Sequence, residues 1–359
     1  MAGAPTDRIP LHTALLPGLG IAAWLVIGKA GLEPLALVLV VVLIGNVVAA
    51  VHHAEVVALR VGEPYGTLVL ALAVTVIEAG LIIAMMLDGD PNPALMRDSV
   101  HAAVMIVLHG LAGLSIVIAA VRNRQSEYRV EGASAFLAVL IPMAVLVLIV
   151  PNHLTSAPGA YYSLLQLGFV SVACLVLYVA FLLTQTRWHQ DYFLPLADDG
   201  EQEHARPTRR LALASFGLML VALFCVVVLA KSIAPALQGG VVALGAPVAI
   251  MGVIIAAIVL LPETAAALRS AARNRLQASI NLSLGSGVAC IGLTVPAVAA
   301  VAWWTDRPLE LGVSQGASVL MALGFAVAII TYGTGRASLL SGLVHLVLLA
   351  TWIFTIFAP

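Results

Sequence analysis

Long apolar runs recur from one end of the chain to the other, and they restrict its possible folds more than any other feature. A bilayer core about 30 Å thick is crossed by a helix of roughly 20 mostly apolar residues. Eleven such runs can be drawn in the 359-residue sequence. They lie near 11–30, 35–55, 66–87, 99–121, 133–150, 161–184, 211–230, 246–268, 279–304, 311–331 and 337–357. The short alternating segments of a membrane barrel are absent from the sequence, so we expect helices to be the spanning elements.

The composition agrees with a chain that dissolves in lipid. Hydrophobic residues make up 62% of the sequence and charged residues 10%, and the mean hydropathy is +1.07. Soluble domains carry about 25% charged residues. The sequence therefore predicts an all-α integral membrane protein with about eleven transmembrane helices. The net charge of −1 argues against a nucleic-acid partner.

Basic residues are divided unevenly between alternate connections. With a cytoplasmic N-terminus, thirteen arginines fall in the inside segments, and the outside segments hold Lys29, Arg97, Lys231 and Arg307. An excess of Lys and Arg marks cytoplasmic loops, so we predict an N-terminus inside and a C-terminus outside. The first segment lacks the pattern of a cleaved secretory signal and is predicted to be a retained helix.

The longest connection, at 185–210, divides the chain near its middle. Its acidic residues are Asp191, Asp198, Asp199, Glu201 and Glu203. A solvated cytoplasmic linker and a cation-sensing acidic segment both fit this composition.

The arrangement of spans around this linker predicts an internal symmetry. Leaving out an N-terminal helix at 1–32, five spans precede the linker at 33–184 and five follow it at 211–359. An odd number of spans per half places the two halves in opposite orientations, as in an inverted repeat.

Two glutamates lie within long apolar segments, one in each half. Glu78 is in the second span of the first repeat and Glu263 in the second span of the second repeat. A carboxylate at the centre of a spanning helix costs about 2.5–3.5 kcal/mol or more, and such residues usually mark an ion or proton pathway. The alternative is a pair of protonated, hydrogen-bonded structural glutamates. Pro262 would permit a break in the helix beside Glu263, and hydropathy alone could also end that helix at Leu261.

Sequence motifs around these glutamates resemble those of a known family. The motifs are Gly62-Glu63-Pro64-Tyr65-Gly66-Thr67 running on to Val76-Ile77-Glu78, and Ala246-Pro247 through Leu261-Pro262-Glu263 with Gly285-Ser286 following. They resemble the paired alpha-repeats of the calcium:cation antiporter superfamily, and most closely the bacterial ChaA-type calcium (sodium, potassium)/proton antiporters. The likeness extends to His53-Ala54-Glu55, Met96-Arg97-Asp98, Gly333-Thr334-Gly335-Arg336 and the acidic linker.

This resemblance implies that Glu78 and Glu263 are the cation-binding residues of a multi-pass protein of the bacterial cytoplasmic membrane. It implies transported Ca2+, Na+ or K+ and H+, with no cofactor. The wider calcium/proton exchangers carry Gly-Asn-x-x-Glu, whereas here the Asn position holds Thr75 in the first repeat and Leu260 in the second. Because Ca2+ takes six to eight oxygen ligands, the loss of two amide oxygens makes monovalent cations more plausible.

Further polar residues in the spans are candidate ligands or relays. Asn281, Ser283 and Ser286 lie on the ninth span, where they would either bind a cation or allow close helix packing. His109 lies deep in its span and would either relay protons or hydrogen-bond a backbone carbonyl. We expect His345 to be structural. Asn46 and Gln166 are expected to form hydrogen bonds between helices, and the three cysteines to be apolar packing residues.

The sequence thus predicts a secondary antiporter in which cation and protons compete for two glutamates. A cation channel and a non-catalytic membrane subunit of a larger complex are the alternatives, and self-association into a homo-oligomer is left open. The sequence has no HExxH, Walker or CxxC motif, so neither an enzyme nor ATP-driven transport is expected.

Overall fold

The chain folds into a series of apolar helices. The structure, a computed structural model, describes residues 9–28, 35–62, 65–87, 92–123, 126–194 and 207–358. The predicted acidic segment at Asp198, Asp199, Glu201 and Glu203 lies outside the described residues. Within them, strand pairing is limited to two isolated bridges.

All eleven predicted spans are helices in the described part of the chain. Ten are long and apolar enough to cross a bilayer, and the described apolar part of the remaining helix is Leu72–Leu87. The helices are α1 Leu11–Gly28, α2 Ala36–Val61, α3 Tyr65–Leu87, α4 Leu95–Arg122, α5 Val130–Leu148, α6 Leu164–Trp188, α7 Arg209–Ala243, α8 Ile250–Ala272, α9 Leu276–Trp304, α10 Gln315–Tyr332 and α11 Leu339–Phe357. The predicted fold class is therefore confirmed.

One helix is much longer than the sequence suggested. We expected the seventh span to end near residue 230, but α7 has 35 residues and continues past Lys231 and Pro235. At 1.5 Å per residue it is about 50 Å long, which exceeds the apolar thickness of a bilayer. The predicted outside connection that holds Lys231 is therefore helical.

The helices form two compact units, and each unit draws on both halves of the sequence. The first unit contains α1, α2, α3 and α7, and the second contains α4 to α6 and α8 to α11. In the first unit α2 packs along α3 and α7. In the second unit α4 packs against α8 and α11, while α9 packs against α5 and α8.

Helices α4 and α9, which are equivalent in the two repeats, share an irregular feature. Each is interrupted by a π-helical segment, Ile106–Leu111 in α4 and Cys290–Thr294 in α9. From 78 to 106 is 28 residues and from 263 to 290 is 27, so the two segments follow the two glutamates at nearly the same interval. Single π turns inside helices are rare and often occur at functional sites.

Two polar residues form bonds other than those expected. Asn46 donates to the carbonyl of Val42 one turn earlier in α2. Gln166 exchanges hydrogen bonds with Ser163 in a capping box at the start of α6. The expectation that both bond between helices is therefore wrong, because each finds its partner within its own helix or cap. All three cysteines are buried and free, as expected.

Close packing of α4 and α8 depends on Gly252. A Cβ atom at this position would lie 2.4 Å from the backbone carbon of Asp98 and 2.6 Å from the backbone nitrogen of Ser99. These backbone atoms cannot rotate away from an added Cβ atom as the end of a side chain could. We expect Gly252→Val to lower the melting temperature of the purified protein by about 5 °C or more, as overpacking costs about 1–3 kcal/mol or more. Thermal unfolding in detergent measures this.

The matched control is Gly168→Val in α6, where an added Cβ would meet nothing within 4 Å. Equal melting temperatures for the two variants would contradict the predicted role of Gly252.

Candidate functional site

Glu78 lies on the protein-facing side of α3 in the first unit. Its side chain is 4% exposed, and its neighbours Ile77 and Ala79 are also buried. Thr75, one turn earlier, is buried on the same face, whereas Val76 is exposed. The helix therefore buries a hydroxyl and a carboxylate on one face.

Glu263 occupies a comparable place on α8 in the second unit. It is 8% exposed, while the preceding Leu261 is exposed. The helix runs without interruption through Pro262 to Ala272, so neither a break at the proline nor an early end at Leu261 occurs.

Pro262 nevertheless changes the hydrogen bonding beside the carboxylate. It has no N–H group, so the carbonyl of Ile258 loses its normal helical donor. The hydroxyl of Thr264 donates to the carbonyl of Leu260 at 2.6 Å. The carbonyl of Ile258 is thus the backbone oxygen that the proline leaves without a helical N–H donor.

The positions one turn before the two glutamates are not equivalent. Thr75 brings a side-chain oxygen, whereas Leu260 is buried and apolar. Glu78 therefore has one oxygen-bearing side-chain neighbour on its buried face that Glu263 lacks.

The predicted polar residues of α9 have separate roles in the second unit. Asn281 accepts a hydrogen bond from Gln277 and donates to the carbonyl of Phe193 at 2.7 Å. Ser283 is fully buried and donates to the carbonyl of Ser279 within α9. Ser286 is half-buried. The amide of Asn281 thus links α9 to the segment that follows α6. Because the hydroxyl of Ser283 acts as a donor, the lone pairs of its oxygen can still accept.

A pair of histidines forms a second polar centre in this unit. The Nδ1 atoms of His109, in the π segment of α4, and His345, in α11, lie 2.8 Å apart. Both side chains are fully buried. The two histidines lie 236 positions apart in the sequence, which therefore gives no local signal that they are in contact.

A third polar group stands at the start of α4. Arg97 forms an ion pair with Asp98 at 2.8 Å and another with Glu310, and it also donates to the carbonyl of Gly312. Asp98 lines a cavity of about 790 Å3 together with His101 and residues at the ends of α8, α10 and α11. One arginine thus neutralises part of the charge of two carboxylates beside a largely apolar cavity.

Within the described ranges, no three or more His, Cys, Asp or Glu side chains are grouped as they would be to hold a metal ion. The candidate carboxylates occur singly on their helices, Glu78 in the first unit and Glu263 in the second.

Sequence comparisons connect the chain with ion transporters. The family model for sodium/calcium exchanger proteins matches residues 34–187 and 214–358. A putative ionic transporter of Sinorhizobium fredii, y4hA, is 43% identical over 316 residues, which are 88% of this chain and 85% of that protein. The sodium-potassium/proton antiporter ChaA of Escherichia coli is 34% identical over 320 residues, which are 88% of this chain and 87% of that protein.

Solved structures show the same fold. The structure of native YfkE has a TM-score of 0.72 at 17% identity and covers 97% of this chain and 99% of its own. The H+/Ca2+ exchanger CAX has a TM-score of 0.73 at 14% identity and covers 96% of this chain and 87% of its own.

Loss of the positive charge at position 97 should destabilise the second unit. In Arg97→Gln, Asp98 and Glu310 lose their common cationic partner, which costs about 1–3 kcal/mol for partly buried groups. We expect the melting temperature at pH 8 to fall by about 3 °C or more.

Arg122→Gln, at an exposed arginine near the other end of α4, is the control. A melting temperature for Arg97→Gln equal to that of Arg122→Gln would contradict this account of Arg97.

Proposed function

Because the chain belongs to the sodium/calcium exchanger family of calcium:cation antiporters, we propose that it exchanges Ca2+, Na+ or K+ for protons, with Glu78 and Glu263 as the competing ligands. The observation that carries the proposal is one buried carboxylate at the matching position of each repeat. The chain is a multi-pass membrane protein, and we place it in the bacterial cytoplasmic membrane with its N-terminus inside.

Exchange follows from competition for the same oxygens. A cation is attracted to ionised carboxylates, whereas protons neutralise them, so the two ligands exclude each other. Small movements of one helix group against another would expose the carboxylates to each side of the membrane in turn. The cation-bound form and the proton-bound form both carry less net negative charge at the carboxylates than the empty form, in which the carboxylates are ionised.

This difference in charge supplies the coupling. An ionised carboxylate without a cation is costly inside a membrane. The empty transporter therefore changes its orientation slowly, and the cation-bound and proton-bound forms change it readily. Net cation movement then requires proton movement in the opposite direction.

Two observations bear on the choice of cation. The relative from E. coli is named as a sodium-potassium/proton antiporter, and the structurally similar CAX as an H+/Ca2+ exchanger. In this chain Leu260 provides no side-chain oxygen, and Thr75 provides a single one. Since Ca2+ takes more oxygen ligands than these positions offer, we assign the chain a preference for monovalent cations over Ca2+.

Neutral substitutions test the two carboxylates. We expect Glu78→Gln and Glu263→Gln to abolish cation-driven proton flux, because glutamine keeps the size of the side chain but cannot exchange a proton. Everted vesicles with an entrapped pH dye, given Ca2+, Na+ or K+, measure this flux. Glu131→Gln, at an exposed residue of α5, should retain the parental flux.

The same assay separates an antiporter from a channel or a subunit without transport. In the parent, each displaced proton should weaken apparent cation affinity about tenfold per unit fall in pH. Cation flux that is saturable but independent of pH would exclude the exchange mechanism, as would unchanged proton flux in both glutamine variants.

Replacing Leu260 should alter selectivity. Leu260→Asn places an amide oxygen one turn before Glu263, so we expect the ratio of Ca2+-driven to K+-driven proton flux to rise severalfold. Leu260→Ala, which removes the same apolar side chain without adding oxygen, is the matched control. Equal ratios for the two variants would show that position 260 does not select the cation.

A further inference from the structure

We propose that His109 and His345 form a second proton-binding site, which slows cation exchange when it is protonated. The effect on exchange rests on the proposed function, but the binding of the proton does not. This bis-imidazole is built entirely within the second unit and is separate in sequence from the two carboxylates.

The distance between the rings requires an unusual sharing of protons. At 2.8 Å the two Nδ1 atoms are joined by one hydrogen bond, so one nitrogen carries the proton and the other accepts it. The accepting ring must then carry its own proton on Nε2. Neither Nε2 atom has a hydrogen-bond partner within the described residues.

In the neutral pair, the ring that donates through Nδ1 therefore has an Nε2 lone pair that accepts no hydrogen bond. Addition of a proton there gives a cation whose charge is stabilised by the N–H···N bond between the rings. A hydrogen bond with one ionised partner is roughly twice as strong as a neutral one. The pair can thus hold a proton at a depth where a single imidazole would be costly to charge.

The surroundings identify the groups that could influence this charge. The ring of Tyr332, from α10, lies 6.0 Å from that of His345, and its hydroxyl also lacks a partner within the described residues. His101 is two turns before His109 on α4 and packs against Trp352. Helix α8, which carries Glu263, packs on α4 and on its π segment.

Glycines on the neighbouring helices make room for the pair. A Cβ atom at Gly324 of α10 would come within 2.4 Å of His109 Nε2, and one at Gly113 of α4 would lie 2.8 Å from the Cβ of His345. Close approach of three helices thus encloses both rings.

Aromatic residues lead from the pair towards one end of the helices. Tyr332 is the last residue of α10, and its ring lies 6.2 Å from that of Tyr128. The hydroxyl of Tyr128 donates to the carbonyl of Thr331 at 2.9 Å, and burial raises the pKa of this tyrosine, so it remains a donor. In the predicted topology this end is cytoplasmic. We therefore expect the site to exchange its proton with the cytoplasmic side.

The effect on transport follows from charge. A positive pair on α4 and α11 repels a cation approaching Glu263 on the adjacent α8. Falling cytoplasmic pH should accordingly slow exchange even when the cation is saturating. Direct competition at the carboxylates disappears under that condition, which separates the two effects.

Histidine NMR of the full chain in nanodiscs tests proton binding without reference to transport. With 15N-labelled histidine, we expect two of the nine histidines to titrate together, as one coupled pair, when the pH is lowered. Each of His109→Gln and His345→Gln should remove one of these signals and shift the other. His153→Gln, at an exposed position, should leave both unchanged.

Transport at saturating cation provides the second measurement. His109→Gln, His345→Gln and the double variant should each shift the acid limb of the pH profile to lower pH by the same amount, about 0.5 unit or more. A common shift is expected because either change destroys the same site. His153→Gln should keep the parental profile.

Three results would overturn the proposal. The first is that the NMR signals of the two histidines do not titrate, or titrate independently of each other. The second is that the acid limb of the pH profile of transport is unchanged in the variants. The third is that the variants lose transport at every pH and have a lowered melting temperature. The last result would assign the pair a structural role. Failure of the glutamate variants to affect flux would refute the proposed carboxylate ligands and leave the NMR titration unaffected.

Discussion

Water is excluded from the interior of the bilayer, and the rest of the structure depends on this constraint. Polar groups that would be hydrated in a soluble protein must find partners inside the chain or remain costly. The helices satisfy the backbone in this way. Among side chains, Arg97 neutralises Asp98 and Glu310, and Ser279 bonds to Ser115 across α9 and α4. The buried side chains that can gain or lose a proton include Glu78, Glu263, His109 and His345.

The irregular turns of α4 and α9 relate this chemistry to the inverted repeat. A π turn adds a residue to one turn of a helix and so alters which side chains face the neighbouring helices. In α4 that turn carries His109, while in α9 the equivalent turn carries Cys290 and Thr294. The two repeats thus share a π-helical turn but carry different side chains on it.

Hydropathy was sufficient to predict the spans, because long apolar helices are local properties of a sequence. The family motifs drew attention to Glu78 and Glu263, which are both buried, and their role as ligands stays a prediction. The length of α7 was underestimated, since Lys231 and Pro235 resemble the residues of a loop. Pro262 was expected to permit a break, but α8 continues through it to Ala272. The contact between His109 and His345, and the ion pair of Arg97 with Glu310, depend on residues more than 200 positions apart and therefore leave no local signal.

Each unit combines helices from both halves of the chain, and this affects how the protein is synthesised. The first three helices enter the membrane before α4 to α6, yet their partner α7 begins only at Arg209. Likewise, α4 to α6 must wait for α8 to α11. Each unit is thus completed by segments that leave the ribosome late, and the early helices must remain soluble in lipid without their final neighbours. Their strongly apolar surfaces make that delay tolerable, and an early stop in translation would leave both units incomplete.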